Sequence, residues 1–560
     1  MTLDYDDAVA QITGPGGRFE TGEVEVGGIT YTVFTGAPTT LVELFDLSRG
    51  YGDTTFLVYE DERYTFAEVF ARADGLAAAL QQRYGVAQGD RVAIAMRNFP
   101  EWIITYLGAL SAGAVVVSMN AWWTADELDY GLQDCGAKVL VADGERVERT
   151  RDTAARLGAA TIGVRLGDAP GGGAAGEGVD RWEDVVEPGA AFERVDIGAD
   201  DDATILYTSG TTGRPKGAVS THRAVVQALM GFGCKVSVEG LRRPEEAAGR
   251  TGAPVFILIV PLFHVTGNVP VLLSSLGTGL KLVIMHKWDP GRALELIERE
   301  KVTNFVGVPT QSWDLLEHPD FAKFDTSSLV SVGGGGAPAP PQLVGRVASS
   351  FATAKPSIGY GMTETNAYGP GNSGVDYESH PTSTGRSTPI LKLEIRDPDG
   401  KAVPVGERGE IWMKGPNLIR GYWNRPDATA ETIVDGWLRT GDLGRVDDEG
   451  FVYIEDRAKD MILRGGENVY SAEVEAAIYE HPDVYEAAVF GVPHERLGEE
   501  VAAAVVARAG RTIDPGQFSS FLAERIAPFK VPTKVVAFSE PLPRNPAGKI
   551  LKRQLRDQIS

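Results

Sequence analysis

Residues 207–218 read Tyr-Thr-Ser-Gly-Thr-Thr-Gly-Arg-Pro-Lys-Gly-Ala and bring together the parts that hold the tail of a nucleoside triphosphate. Gly210, Gly213 and Gly217 let the backbone turn its N–H groups toward phosphate oxygens. Thr208, Ser209, Thr211 and Thr212 add hydroxyl donors, and Lys216 adds positive charge. Lys216 is followed by Gly217, not by the Ser or Thr that binds magnesium in the Walker pattern, so this is a phosphate loop of another kind. The competing reading is a Gly/Thr-rich surface turn between the strand-like Ala203–Tyr207 and the helix-like Thr221–Leu229.

Four more stretches follow along the chain: Tyr360-Gly361-Met362-Thr363-Glu364, Thr440-Gly441-Asp442, Asp456-Arg457-Ala458-Lys459-Asp460 and Asn545-Pro546-Ala547-Gly548-Lys549. In this order and at these distances they resemble the core motifs of the acyl-adenylate-forming superfamily. That superfamily includes acyl-CoA synthetases, peptide-synthetase adenylation domains and beetle luciferases. The likeness spans roughly residues 40–555 and is nearest to the medium- and long-chain fatty acyl-CoA synthetases.

The chemistry such motifs serve is the activation of a carboxylate, whose own leaving group would be oxide. Transfer of AMP from ATP onto that oxygen makes it a good leaving group, provided the α-phosphorus is shielded, its charge is neutralised and the carboxylate is aligned. The resemblance implies that Thr208–Gly217 hold the β- and γ-phosphates and that Glu364, with Thr208, binds Mg²⁺. It implies Gly335, Gly336 and Ala337 beside the adenine, Tyr360 stacked on the base, Gly361, Met362 and Thr363 lining the site, and Asp442 accepting the ribose hydroxyls with Arg457 nearby. It places His264 at the mouth of the acyl pocket and Lys549 between carboxylate and α-phosphate. For the second step it implies that a C-terminal cap pivots at Lys459 and presents Arg464-Gly465-Gly466-Glu467-Asn468, whose glycines let the pantetheine arm of coenzyme A pass. Taken one at a time, His264 between Phe263 and Val265 reads equally as a core histidine, Glu364 as a turn residue and Lys549 as a surface lysine.

The elements that must position these groups are legible as alternating patterns. Strand-like Arg91–Met96, Ala114–Met119 and Lys138–Ala142 alternate with helix-like Pro100–Ala112 and Thr124–Cys135. A second set runs through Val255–Val260, Leu280–Ile284, Asn304–Val308 and Leu329–Val332. Both imply parallel strands with crossover helices. The expected fold is therefore α/β: a large N-terminal domain (1–455) of two doubly wound subdomains plus a small β-barrel, a hinge at 456–460, and a mobile α+β cap (461–560). Gly167–Gly178 and the charged Glu239–Gly252 read as solvated loops.

At 560 residues the chain has room for several domains. No run approaches the ~18 uninterrupted apolar residues of a membrane span. The acidic start and the Asp557-Gln558-Ile559-Ser560 end carry no leader or peroxisomal signal, which reads as a cytoplasmic enzyme. A formal charge of −23 argues against nucleic acid as a partner. Cys135 and Cys234 lack the spacing of a zinc site or disulfide framework. The partners expected are small molecules: a carboxylic acid, ATP and coenzyme A. The oligomeric state, a homodimer among the options, is open.

Three functions fit the motifs. The leading one is an acyl-CoA synthetase for a hydrophobic acid, a medium- or long-chain fatty acid first, with aryl, terpenoid or steroid side-chain acids open. The second is a stand-alone ligase that loads a carrier protein. The third, a light-emitting oxygenase, is similar in motifs but is discounted for want of the peroxisomal tail; from a different class, a non-catalytic nucleotide-binding scaffold is argued against by the retained Lys216, Glu364 and Lys549.

Overall fold

The structure, a computed structural model, describes residues 3–167, 178–208, 214–244, 253–337, 339, 341–351, 353–457, 460–465, 467–545 and 548–559. Ser209, Gly210, Thr211, Thr212, Gly213, Lys459 and Gly466 therefore lie outside the described residues, as does most of the 167–178 loop.

Val92–Ile94, Val115–Val117 and Val139–Ala142 are apolar on both faces and buried, as strands covered by helices on both sides must be. They lie in an eight-stranded sheet ordered Gly421–Tyr422, Lys216–Thr221, Asp202–Thr208, Val115–Ser118, Arg91–Ala95, Val139–Asp143, Ala160–Val164, Val179–Arg181. From Asp202–Thr208 onward every pairing is parallel. The second sheet begins with the hairpin Thr55–Tyr59 and Glu62–Thr65. It continues in parallel through Lys281–Ile284, Val255–Leu258, Asn304–Gly307, Ser331–Gly335 and Lys355–Gly359.

The β-rich region, expected as a small antiparallel barrel, is joined edge to edge with this second sheet. Gly371–Ser373 and Gly385–Arg386 link Lys355–Gly359 to the antiparallel strands Phe451–Arg457, Trp437–Val446, Gly409–Lys414 and Lys392–Arg396. Glycine makes the join possible: Gly385 has φ +91°, and a Cβ there would fall 1.9 Å from the Gly371 carbonyl oxygen.

The helix expected to end near Leu229 runs from His222 to Arg242, capped by Thr221, whose hydroxyl accepts from the Ala224 N–H. Glu239, expected in a loop, lies on its last turn and is engaged by Arg242. By length and composition this helix is apolar enough to cross a membrane. Here it packs as a core helix against Tyr5–Thr13 and the segment Gly267–Thr278.

Beyond Arg457 the chain builds its own five-stranded sheet from Ile462–Arg464, Glu467–Val469, Val484–His494, Gly498–Ala507 and Lys534–Phe538. One face is closed by Val474, Ile478, Phe518 and Leu522, the other by Leu542, Leu555 and Ile559.

Within the second sheet, Gly334 leaves no space for a side chain: its Cβ would sit 2.0 Å from the Gly307 carbonyl oxygen on the neighbouring strand. Gly334→Ala is expected to lower stability by about 1–3 kcal/mol, the range for overpacking. Gly336→Ala, at φ +77° with open space around it, should cost about 1 kcal/mol. A Gly334→Ala variant with the wild-type urea midpoint would contradict this packing.

Candidate active site

The phosphate loop is carried by an antiparallel hairpin in which Thr208 and Lys216 face each other, with Thr208 Oγ1 donating to the Lys216 carbonyl at 3.4 Å. Strand Gly421–Tyr422 adds to its outer edge, with Trp423 N–H donating to Gly217 O at 2.7 Å. This edge strand brings Tyr422 to the lysine. The Lys216 Nζ lies 4.2 Å from the centre of the Tyr422 ring, and the Tyr422 hydroxyl donates to Glu364 Oε1 at 2.6 Å. Burial first, and then the Glu364 carboxylate, push the phenol well above its ordinary range, so it stays protonated as the donor. Lys216 and Glu364 form no ion pair with each other within the described residues.

Glu364 is 6% exposed and sits in the 3₁₀ turn Thr363–Thr365. Thr365 Oγ1 closes this turn by accepting from Met362 N–H at 3.1 Å. Asn366 and Ala367 follow, both at positive φ. The turn is pinned from two sides: Asn417 Nδ2 donates to Thr365 O at 2.9 Å, and Asn366 Nδ2 donates to Asn417 O at 3.0 Å. Ser220, on the Lys216 strand, donates to Asn366 Oδ1 at 2.9 Å. Among the described residues no three His, Cys, Asp or Glu side chains gather into a metal cage. Glu364 suits a hard cation because its Oε2 makes no hydrogen bond among those residues. Mg²⁺ there would draw its other ligands from phosphate oxygens and water.

Asp442 and Arg457 are register partners on adjacent strands, with Arg457 Nε 3.3 Å from Asp442 Oδ1. Tyr360, expected to stack on the base, also donates its hydroxyl to Asp442 Oδ2 at 2.6 Å. Each carboxylate oxygen keeps a lone pair for a ribose hydroxyl. Burial and the Asp442 charge hold the Tyr360 phenol far above its usual range.

The parallel strands Val255–Leu258, Asn304–Gly307, Ser331–Gly335 and Lys355–Gly359 are neighbours, so the residues just beyond their carboxyl ends emerge along one edge. That edge is the ligand-binding side of such sheets. It carries Val308, Gly336 with Ala337, and Tyr360, with His264 a short turn beyond Leu258. Several glycines at or near this edge have no room for a side chain. The Cβ positions of Gly267, Gly333, Gly335 and Gly361 lie 2.3 Å from Pro261 O, 1.9 Å from Ser357 Oγ, 2.6 Å from Gly359 O and 2.3 Å from Ala367 O.

His264 precedes a π-helical segment, Gly267–Leu273, a conformation frequent at functional sites. Its Nδ1 accepts from the Thr266 N–H at 3.4 Å, which places the proton of the neutral ring on Nε2, where it can donate to a carboxylate. Desolvation pushes its imidazolium down to about 4.

The cap seats the Lys549 loop on this edge: a Cβ on Gly548, at φ +80°, would fall 2.8 Å from Val308 Cγ2. Asn545 shapes that loop by accepting the Lys549 N–H at its Oδ1, 2.9 Å, while its own N–H donates to Lys549 O at 2.8 Å. Tyr485 donates to Asp314 Oδ1 at 2.6 Å, and Arg508 pairs with Glu317, both acids in the stretch following Val308. Gly465 and Glu467 stand on a hairpin of the cap, with Gly465 at φ +62° and Glu467 exposed. Lys552, just beyond Lys549, is held by side chains of the cap itself. It lies 2.8 Å from Glu475 Oε1 and donates to Ser471 Oγ at 2.7 Å, and Ser471 in turn donates to Asp456 Oδ1 at 3.0 Å. Burial works against the Lys552 charge, but Glu475 and Asp456 outweigh it and raise its pKa.

Sequence reasoning missed Tyr422, Asn417, Asn366 and Ser220. Their one signal was the edge-strand run around Gly421–Tyr422, which no periodicity ties to a hairpin two hundred residues upstream.

A fold of two doubly wound sheets with a C-terminal cap, and a phosphate hairpin coupled to a buried carboxylate, define an adenylate-forming enzyme. Residues 44–423 match the AMP-binding enzyme family and residues 473–549 its C-terminal domain, so the chain belongs to that family. It is similar to a long-chain-fatty-acid–CoA ligase of Mycobacterium tuberculosis, 36% identical over 89% of this chain and 94% of the relative. It is 39% identical to a feruloyl-CoA synthase of Amycolatopsis over 88% of this chain and 93% of the relative. Among solved structures it resembles ATP-bound MatB from Rhodopseudomonas palustris, with TM-score 0.79 and 32% identity over 92% of this chain and 98% of that one. The chain is an AMP-forming acid–thiol ligase.

The lowered His264 value sets a pH dependence. A histidine kept neutral in the fold contributes stability that is complete above its unfolded value near 6.5 and is lost as pH falls toward about 4. The stability advantage of wild type over His264→Asn, read from urea midpoints, should therefore shrink across that window. A difference constant across it would show that His264 is hydrated.

Proposed function

We propose that the enzyme activates a hydrophobic carboxylic acid, of the medium- or long-chain fatty acid type, to acyl-AMP with release of pyrophosphate, and then transfers the acyl group to coenzyme A. The observation that carries this reading is the seating of the Lys549 loop against Val308, on the same sheet edge as Tyr360 and Gly336. The names of the relatives, a fatty-acid ligase and an aryl-acid synthase among them, support an apolar acid and a coenzyme A acceptor.

On this reading ATP lies along the edge with its ribose on Asp442. Its β- and γ-phosphates sit in the 208–217 loop, with Lys216 opposing their charge. Glu364 and Thr208 would hold Mg²⁺, which neutralises phosphate charge when bound. His264 orients the acid through Nε2–H, and Lys549 balances the charge that gathers between the attacking carboxylate and the α-phosphate. Thioester formation then needs the cap to pivot at 456–460, withdrawing Lys549 and presenting the Gly465 loop. Among the described residues Tyr485–Asp314 and Arg508–Glu317 dock the cap through polar side chains, which suits a surface that must part and re-form.

Separating the two half-reactions tests this. Lys549→Ala should slow acyl-adenylate formation by a factor on the order of 10²–10³. Supplied with synthetic acyl-adenylate and coenzyme A, it should make thioester at nearly the wild-type rate. Lys459→Pro, which fixes φ at the pivot, should do the reverse. Equal losses in both steps for both variants would remove the two-pose mechanism, and thioester appearing only on a carrier protein would reassign the acceptor.

A further inference from the structure

The helix His222–Arg242 turns one face toward the chain that leaves Tyr360. Gly231 on that face is pressed against the ring of Tyr368, where a Cβ would lie 2.2 Å from the ring. One turn further along the same face stands Lys235. Its ammonium occupies the space that a side chain on Gly371 would take, since a Cβ there would fall 1.5 Å from Lys235 Nζ. Gly371 is the register partner of Gly359, the last residue of the strand that delivers Tyr360 to the site. The ammonium thus sits at the ligand end of the second sheet. The helix that carries it also packs against the π-helical segment that continues from His264.

A charge in this position needs an explanation. Among the described residues Lys235 makes no hydrogen bond and no ion pair. The carboxylate that bears on it electrostatically, Glu239, is held instead by Arg242, itself paired to Asp376. Desolvation holds the Lys235 ammonium down to about 8, so it is charged at neutral pH without a partner for that charge among the described residues. An unpaired, desolvated ammonium costs stability, and a methionine would fill the same volume without that cost. An acceptor that arrives with the substrate accounts for both.

We propose that Lys235 recognises an oxygen acceptor at the far end of the substrate, so that the acid has an apolar body carrying a second carboxylate or a carbonyl distal to the carboxylate that is activated. This refines the function proposed above and rests on it: His264 and Lys549 handle the reacting end, and Lys235 reads the other. A polar site built for such an acceptor discriminates strongly against an analogue that lacks it, because the analogue leaves the ammonium unpaired.

The test is a matched panel of acids ending in methyl, ketone or carboxylate. Each is assayed for pyrophosphate release and thioester formation with wild type, Lys235→Met and Lys235→Arg. Wild type should favour at least one polar-ended series in kcat/KM by about tenfold or more. Lys235→Met should raise KM for that series by about tenfold or more with kcat kept, and leave KM for methyl-ended acids unchanged or lower. Lys235→Arg should restore the preference, and the ketone and carboxylate arms tell which acceptor is read. A wild-type preference for methyl-ended acids, or an equal KM change for every acid in Lys235→Met, overturns the inference while leaving the ligase function standing. Turnover of no acid at all overturns both. If Lys235→Met does not fold, the wild-type panel alone decides.

Discussion

The site depends on keeping two opposite charges close without letting them cancel. Lys216 and Glu364 are tied to the same side chain, Tyr422, with the ammonium over the face of the ring and the carboxylate accepting from its hydroxyl. A direct lysine–glutamate pair would hold itself together and offer little net field to a ligand. The tyrosine uses the negative face of its ring and its O–H dipole to steady each charge separately. The cation therefore remains able to meet phosphate and the anion to meet a divalent metal. The arrangement requires Gly421–Tyr422 to pair with the Lys216 strand, and that pairing is why the first sheet carries an eighth strand from so late in the chain.

Around this link the two sheets play different parts. The first supplies the phosphate hairpin. The second presents Val308, Gly336 and Tyr360 from adjacent parallel strands, then runs on through the glycine-lined join at Gly371 and Gly385 to Asp442 and Arg457. That continuity places the Tyr360 hydroxyl against Asp442 without a domain interface between them. The cap is held differently. It has its own cores, and it meets the body through side chains such as Tyr485 and Arg508 with modest burial. Asp456, Ser471 and Lys552 tie the end of the body's last strand to the stretch just after Lys549. The loop bearing Lys549 and the segment next to the proposed pivot thus belong to one connected polar network.

Much of this was legible in the residues alone. The apolar strands and the helices between them appear within a residue or two of where alternation places them, because both faces of a parallel sheet must be buried. The motif residues converge because they follow strand ends. What was not legible depends on tertiary contact. The join at Gly371 and Gly385, which runs the β-rich region into the second sheet, was not legible, since glycine permits a backbone approach that no hydropathy pattern records. The helix through Arg242 outran its expected end because Glu239, Arg242 and Asp376 satisfy one another's charges there. Gly335 and Gly361, expected beside the nucleotide, also have a backbone carbonyl packed where a Cβ would stand, a contact that no spacing records. The roles of Tyr422 and Lys235 were not legible, as their meaning lies in neighbours far away in the chain.

The most direct measurement of the central link is pyrophosphate exchange as a function of Mg²⁺ for Tyr422→Phe, which keeps the ring beside Lys216 and removes only the donor to Glu364. Loss of a hydrogen bond to a charged group, about 1.5–3 kcal/mol, should lower the exchange rate roughly tenfold or more and raise the Mg²⁺ needed for half-saturation. A variant with wild-type exchange and an unchanged Mg²⁺ dependence would contradict the role assigned to Tyr422.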